Sequence, residues 1–147
     1  MTAPTKTQID ALRTGIDSLV RRFKIAEALP TIEGRAKLNP IDMQALLYLA
    51  GHPGSTATAL GQYLGVVATT TTALIDRLVR QGLVLRDRVE SNRRIVHLNL
   101  SPIGEDSVAQ IIETQNRHCR AMLETLSPEE RTQLVGAIGK IATSIFK

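Results

Sequence analysis

The side chains able to do chemistry in this chain are concentrated between residues 69 and 94. Thr69, Thr70, Thr71 and Thr72 stand in an unbroken row, Ala73 follows, and six arginines come next: Arg77, Arg80, Arg86, Arg88, Arg93 and Arg94. Short hydroxyl side chains can donate to and accept from base edges in a DNA groove, and a threonine methyl can touch the thymine methyl. Guanidinium groups suit phosphate oxygens, and arginine also fits a narrow minor groove. Between Arg77 and Arg94 only Asp87 and Glu90 oppose the arginines, so the excess of +4 in this segment equals the formal net charge of the whole chain, +4. A basic patch confined to one segment is the footprint expected of phosphate contacts, although a solvated, charge-rich hairpin would show the same composition.

Catalysis and metal binding have little to stand on. His52, His97 and His118 fall in a Pro-Gly turn, an alternating stretch and a helix, with no carboxylate or cysteine at ligand spacing around them. His118 and Cys119 are adjacent, so on a helix they diverge by about 100° and cannot share a metal on one face. No catalytic residue, metal or cofactor is expected. Cys119 is expected to pack on the apolar side of a late helix. A single cysteine, together with no leader and no apolar run near 18 residues, points to a cytoplasmic protein.

The elements that must carry these groups can be read from periodicity. Along residues 66–80, Val67, Thr71, Leu74, Ile75 and Leu78 fall on one side of a helix as its buried stripe, leaving Thr69, Thr70, Thr72, Ala73, Asp76, Arg77 and Arg80 outside. Four successive threonines cost roughly 0.5 kcal/mol each relative to alanine, so local stability does not account for them. Gly82 supplies a left-handed cap. Leu83-Val84-Leu85 is then a short strand, Arg86 to Arg94 a polar tip, and Val96, Leu98 and Leu100 alternate with Ile95, His97 and Asn99 in a return strand.

Upstream, Asn39-Pro40 opens a helix over Ile41 to Ala50 with Leu46, Leu47 and Leu49 in the core, and Gly51-His52-Pro53-Gly54 stops it. Ser55 or Thr56 caps a short helix, Ala57 to Leu64, closed by Gly65; with the threonine-rich helix it forms a helix-turn-helix by spacing alone. Met1 to Lys6 reads as a frayed end. Thr7 to about Leu29 carries apolar residues at Ile9, Leu12, Ile16, Leu19, Phe23 and Ala26, and Pro30 to Leu38 is a loop. Ser101-Pro102 opens a further helix with Val108, Ile111, Ile112, Cys119, Met122, Leu123 and Leu126 on its apolar side. Ser127-Pro128-Glu129-Glu130 is a capping box starting a last helix striped by Leu134, Ile138, Ile141 and Ile145. These outer stripes pack either within one chain or across a two-fold interface, and the second uses them more economically. At 147 residues the chain is one domain's worth, with so few aromatics that aliphatic side chains must fill its core.

Taken together, Leu60-Gly61-Gln62-Tyr63-Leu64-Gly65-Val66, the threonine-rich helix, Leu78-Val79-Arg80-Gln81-Gly82-Leu83-Val84, the stretch Arg88 to Arg94, and Leu98-Asn99-Leu100-Ser101-Pro102-Ile103-Gly104 resemble the winged helix-turn-helix of the MarR family of bacterial regulators. Asn92, Ser101 and Gly61 stand where that family usually carries Asp, Thr and Ala. The resemblance implies a mostly α fold with a small β-hairpin wing, a winged helix-turn-helix with N- and C-terminal dimerisation helices. It implies one domain over 1–147, a DNA-binding lobe at 40–100 and dimerisation helices at 7–29 and 102–147.

The function so implied is that of a sequence-specific DNA-binding transcriptional regulator, a homodimeric repressor on an inverted repeat of double-stranded DNA, released by a small aromatic or anionic effector. Thr69, Thr70, Thr72, Ala73, Arg77, Arg88, Arg93 and Arg94 are the expected DNA-binding residues. No residue singles out an effector, although Arg13, Tyr48 and His52 are candidates to line a cleft for one. The competing reading is a winged-helix protein-interaction or architectural module without base readout, and the intact outer threonines favour the first.

Overall fold

Hydroxyl side chains start four of the helices, and their hydrogen bonds decide where. The computed structural model describes residues 2–26 and 38–145, and the chain divides into two compact units, Met1–Asn39 and Pro40–Lys147.

In the first unit, α1 spans Lys6–Ala26. Thr5 N donates to Gln8 Oε1 at 2.9 Å and Gln8 N donates to Thr5 Oγ1 at 3.1 Å, a reciprocal capping box. The helix therefore begins sharply where the sequence suggests only a frayed end. Ile9, Leu12, Ile16 and Leu19 are all exposed. The helix end expected at Leu29, the loop expected from Pro30 onward, and the side chains of Phe23 and Ala26 lie outside the described residues.

The second unit runs α2 (Pro40–Gly51), α3 (Ala57–Leu64), α4 (Ala68–Arg80), β1 (Val84–Val89), β2 (Asn92–Leu100), α5 (Pro102–Glu124) and α6 (Pro128–Ile145). Helix α2 is the centre of the core: Met43, Ala45, Leu46 and Leu49 are buried, while Leu47 is only half-buried. Thr56 caps α3 by accepting from Ala59 N at 3.1 Å, and Gly65 ends it at φ +68°. Helix α4 buries Thr71, Leu74, Ile75 and Leu78 against α3 and the hairpin. Val67 does not join that stripe. It precedes the helix with extended backbone, φ −72° and ψ 160°, which takes its side chain off the helical period and leaves it 68% exposed.

At the other end of α4, Gly82 N donates to Val79 O and Leu83 N to Leu78 O, both at 3.0 Å, with Gly82 at φ +75°. That is a Schellman cap, and its left-handed residue is the reason for a glycine there. The chain leaves it directly as β1, which pairs antiparallel with β2 from Val84↔Leu100 to Arg88↔Val96. The wing strands thus extend well into the segment expected to be a polar tip. Ladder hydrogen bonds carry them there, although Arg86 and Arg88 mask the apolar alternation of that face. The register then shifts, Val89 pairing with Asn92, so that Arg93, Arg94 and Ile95 lie between paired positions and Glu90-Ser91 form the turn. Ser55 adds a bridge to Leu98, tying the α2–α3 connection to the hairpin.

Leu60, Leu74, Leu78, Leu83, Val84, Leu98, Val108 and Ile111 complete an aliphatic core. Helix α5 starts at Ser101, whose Oγ accepts from Gly104 N at 3.0 Å and donates to Gly82 O at 2.5 Å. Its buried face ends at Ile111. Cys119 and Ile112 are exposed as a result, and Met122, Leu123 and Leu126 only half-buried, so the expected core role of Cys119 is not seen within the chain. Ser127 and Glu130 form the expected capping box at α6, with Ser127 N donating to Glu130 Oε1 at 3.0 Å and Glu130 N to Ser127 Oγ at 3.3 Å. Hydrogen bonding from Ser127, its backbone N–H first, holds the Glu130 carboxyl below its usual range, so the help it gives α6 is lost as pH falls through that lowered value. Leu134, Ile138 and Ile141 of α6 are exposed, while the Ile145 side chain lies outside the description. Among the described residues, no helix is long and apolar enough to cross a membrane.

A Cβ at Gly104 would lie 2.1 Å from Leu83 O, a backbone atom that cannot swing aside. Gly104→Ala is expected to lower stability by about 1–3 kcal/mol through overpacking. Urea unfolding followed by circular dichroism checks this, and an unchanged midpoint would mean the α5 start yields freely.

Candidate nucleic-acid interface

The exposed face of α4 is the end of a chain of packing that begins in α2. Leu74, Ile75 and Leu78 are fixed in the core, so Thr69, Thr70, Thr72 and Ala73 stand outward on the opposite side, all exposed. Thr71, buried, donates from Oγ1 to Val67 O at 3.1 Å. That hydroxyl would lie 2.6 Å from a Cβ on Gly61, so the glycine lets α3 and α4 approach closely. A groove of about 610 Å³ runs between the two helices, lined among others by Thr58, Gln62, Val67, Ala68 and Thr72.

The arginines divide into two groups. Arg77 Nη2 donates to Asp42 Oδ1 at 2.5 Å and Nε to Oδ2 at 3.4 Å. Asp42 is 1% exposed and the Arg77 side chain 37%, so one partner is buried and the other half in water. The hydrogen bond to Asp42 raises the Arg77 guanidinium above its ordinary value, desolvation opposes it, and attraction to the same carboxylate adds to it. Arg86 donates to Asp76 of α4. Arg88 Nη1 donates to Arg93 O at 2.8 Å inside the wing. Asn92 Oδ1 accepts from Arg94 N at 3.1 Å, so it braces the backbone of the wing rather than an arginine side chain. Arg80, Arg93 and Arg94 are exposed, and among the described residues no carboxylate lies within ion-pair reach of them or of Arg88.

The structure thus gathers every expected DNA-binding residue in one unit: Thr69, Thr70, Thr72, Ala73 and Arg77 on α4, Arg88, Arg93 and Arg94 on the hairpin. Periodicity along the chain does not mark Asp42 and Asp76 as the acidic partners of Arg77 and Arg86. A lone acid in the mostly apolar run Ile41 to Ala50 is the signal for the first. Of the effector candidates, Tyr48 stacks on His52 with centroids 4.2 Å apart and on Tyr63 at 4.5 Å, while Arg13 pairs with Asp10 in the first unit. Among the described residues, no group of three or more His, Cys, Asp or Glu side chains could hold a metal ion.

Known proteins share this fold. The MarR family profile matches residues 36–95. The uncharacterized HTH-type transcriptional regulator YsmB of Bacillus subtilis (strain 168) is 31% identical over 103 residues, covering 67% of this chain and 70% of that protein. The chain belongs to the MarR family of transcriptional regulators. In fold it is similar to a MarR family protein from Bacillus stearothermophilus, with a TM-score of 0.82 and 26% identity over 99% of this chain and 100% of the other. It is similar also to FabT of Streptococcus pneumoniae, a structure in complex with DNA, with a TM-score of 0.77 and 22% identity over 94% of each chain. Within this MarR fold α4 occupies the second position of the helix-turn-helix and β1–β2 is the wing.

Removing Arg77 leaves Asp42 buried without its guanidinium. Arg77→Ala is expected to cost about 1–3 kcal/mol of stability, below the range for fully buried pairs because Arg77 is half in water. The double change Asp42→Ala with Arg77→Ala should cost less than the two single changes added. Strict additivity in a denaturant-unfolding cycle would show that the pair does not couple α2 to α4.

Proposed function

We propose that this MarR-family chain is a sequence-specific DNA-binding repressor that acts as a two-fold dimer and leaves its operator when a small molecule binds. One observation carries the reading: Thr69, Thr70, Thr72 and Ala73 stand exposed on a helix anchored behind by the core, and the hairpin that follows presents Arg88, Arg93 and Arg94 without carboxylate partners among the described residues. In this reading α4 enters the major groove and its short side chains read base edges, matching thymine methyls best. Arg77, oriented by Asp42, offers its outer N–H groups to phosphate. Arg88, Arg93 and Arg94 approach from the minor-groove side. The complex of FabT with DNA supports this use of a shared fold.

The exposed apolar stripes of α1 and α6 support the dimer, since patches of that kind rarely stay in water. In this assignment residues 40–100 are the DNA-binding lobe, and residues 7–29 and 102–147 supply the dimer. The effector proposed is a small aromatic or anionic molecule, and the Tyr48–His52 stack offers a flat surface for a ring. Ile138→Glu with Ile141→Glu places charge at the seam and should dissociate the dimer at a cost of several kcal/mol. Light scattering checks this, and a stable wild-type monomer at micromolar concentration would sink the dimer.

Two recognition helices of a dimer enter successive major grooves, so the target is an inverted repeat with half-site centres roughly 10 base pairs apart and half-sites rich in A·T. Selection from random DNA at stated salt tests the readout. Wild type should return one such repeat, and a Thr69→Ala, Thr70→Ala, Thr72→Ala variant should return a different or degenerate site. The same site from both would reject α4 as the reader, and no preferred site from wild type would favour an architectural module.

A further inference from the structure

Resting on the DNA-binding reading above, we infer that the pitch of the wing against α4 is set by two side-chain clamps at the root of β1, Arg86 on Asp76 and Asn99 between Asp87 and Gly54. Asp76, Arg86 and Asn99 are then positioning residues for the wing arginines, not DNA contacts.

Arg86 and Asp87 are neighbours on a strand, so they face opposite sides of the hairpin. Arg86 shares its face with Val84, and across the ladder with Leu98 and Leu100, the face that packs on the helix-turn-helix; from there it reaches Asp76 of α4. Asp87 lies on the other face, where Asn99 Nδ2 donates to Asp87 Oδ2 at 2.9 Å. Asn99 Oδ1 accepts from Gly54 N at 2.8 Å, in the turn between α2 and α3. Gly54 N also donates to Leu98 O, and Leu98 N to Ser55 O. One face of the wing root is therefore tied to the recognition helix and the other to the turn before α3. Beyond Arg88 the regular register stops, so the arginines Arg93 and Arg94 ride on a lever held only at its base. An ion pair half in water adds little stability. What two opposed ties do is restrict the direction in which the lever points.

The sign of one substitution separates this inference from ordinary electrostatics. Removing a carboxylate beside DNA strengthens phosphate binding when that carboxylate has no other role. The clamp requires the reverse: Asp76→Asn should weaken operator binding about tenfold and erase the wing's protections from a hydroxyl-radical footprint while those of α4 remain. Asn99→Ala should act in the same direction. The charge-swapped pair Asp76→Arg with Arg86→Asp keeps the net charge and should restore affinity to within about threefold of wild type.

A nitroxide at Ser91→Cys, in a Cys119→Ser background, reads the wing tip in the free protein. Its spectrum should sharpen with Asp76→Asn and return with the swapped pair. Tighter binding by Asp76→Asn, a swap as weak as Arg86→Ala, or a tip whose motion ignores Asp76 would each overturn the clamp. Should wild type select no DNA sequence, the DNA-binding reading falls, and the spin label still decides the clamp by itself.

Discussion

The carbonyl oxygen of Leu83 is the point through which α4, the wing and α5 are joined. It accepts from Ser101 N at 3.0 Å and sits where any side chain on Gly104 would collide, at 2.1 Å from the Cβ position. One residue before it, Gly82 closes α4 with a left-handed cap, and its own carbonyl takes the Ser101 hydroxyl. The end of α4, the root of the wing and the start of α5 are thus held within a few ångströms by two backbone carbonyls and by the N–H and hydroxyl of Ser101. Backbone does not swap rotamers, so this junction fixes the point at which the hairpin leaves the helix, and the side-chain ties of Arg86 and Asn99 act on its pitch beyond that point.

From that junction outward the arginines change role with distance. Near the root, Arg77 and Arg86 are engaged with Asp42 and Asp76, and they serve the geometry of α4 and the wing. Toward the tip, Arg93 and Arg94 have no carboxylate partner among the described residues, and Arg88 rests on a carbonyl that leaves its charge uncancelled. The excess positive charge visible in the sequence therefore overstates the field at the root and describes the tip well. A desolvated phosphate contact gains most from cations that have no internal anion to leave behind.

How much could be read beforehand follows from the range of each interaction. Caps made within a few residues were legible: Thr56, Gly65, Gly82, Ser101 and the Ser127–Glu130 box all stand where local rules place them. The Thr5–Gln8 box follows the same rule, inside the stretch whose polar composition reads as a frayed end. The strands of the wing are longer than the pattern indicates, since arginines on the packed face hide the period of two, and the ladder is a contact between distant residues. Val67 misled because helical periodicity holds only where the backbone is helical. Asp42 and Arg77 are 35 residues apart, and no pattern along the chain announces which buried acid will meet which arginine. Cys119 is apolar in type and falls on the apolar side of α5, yet the core ends at Ile111 before reaching it.

Helix α4 is anchored unevenly, and the unevenness bears on its proposed task. Its C-terminal half has the Schellman cap, the Asp42 and Asp76 pairs, and Leu74, Ile75 and Leu78 in the core. Its N-terminal half has no side-chain cap at Val67, carries β-branched residues that lower helix propensity, and buries Thr71 against α3. The hydroxyls of Thr69, Thr70 and Thr72 make no hydrogen bond within the described chain. A base edge would therefore meet groups with no internal partner to give up, on a helix whose far end cannot shift. Capping the N-terminus or replacing the threonines with alanine would make a better isolated helix, at the cost of the only hydroxyl donors and acceptors that its outer face offers.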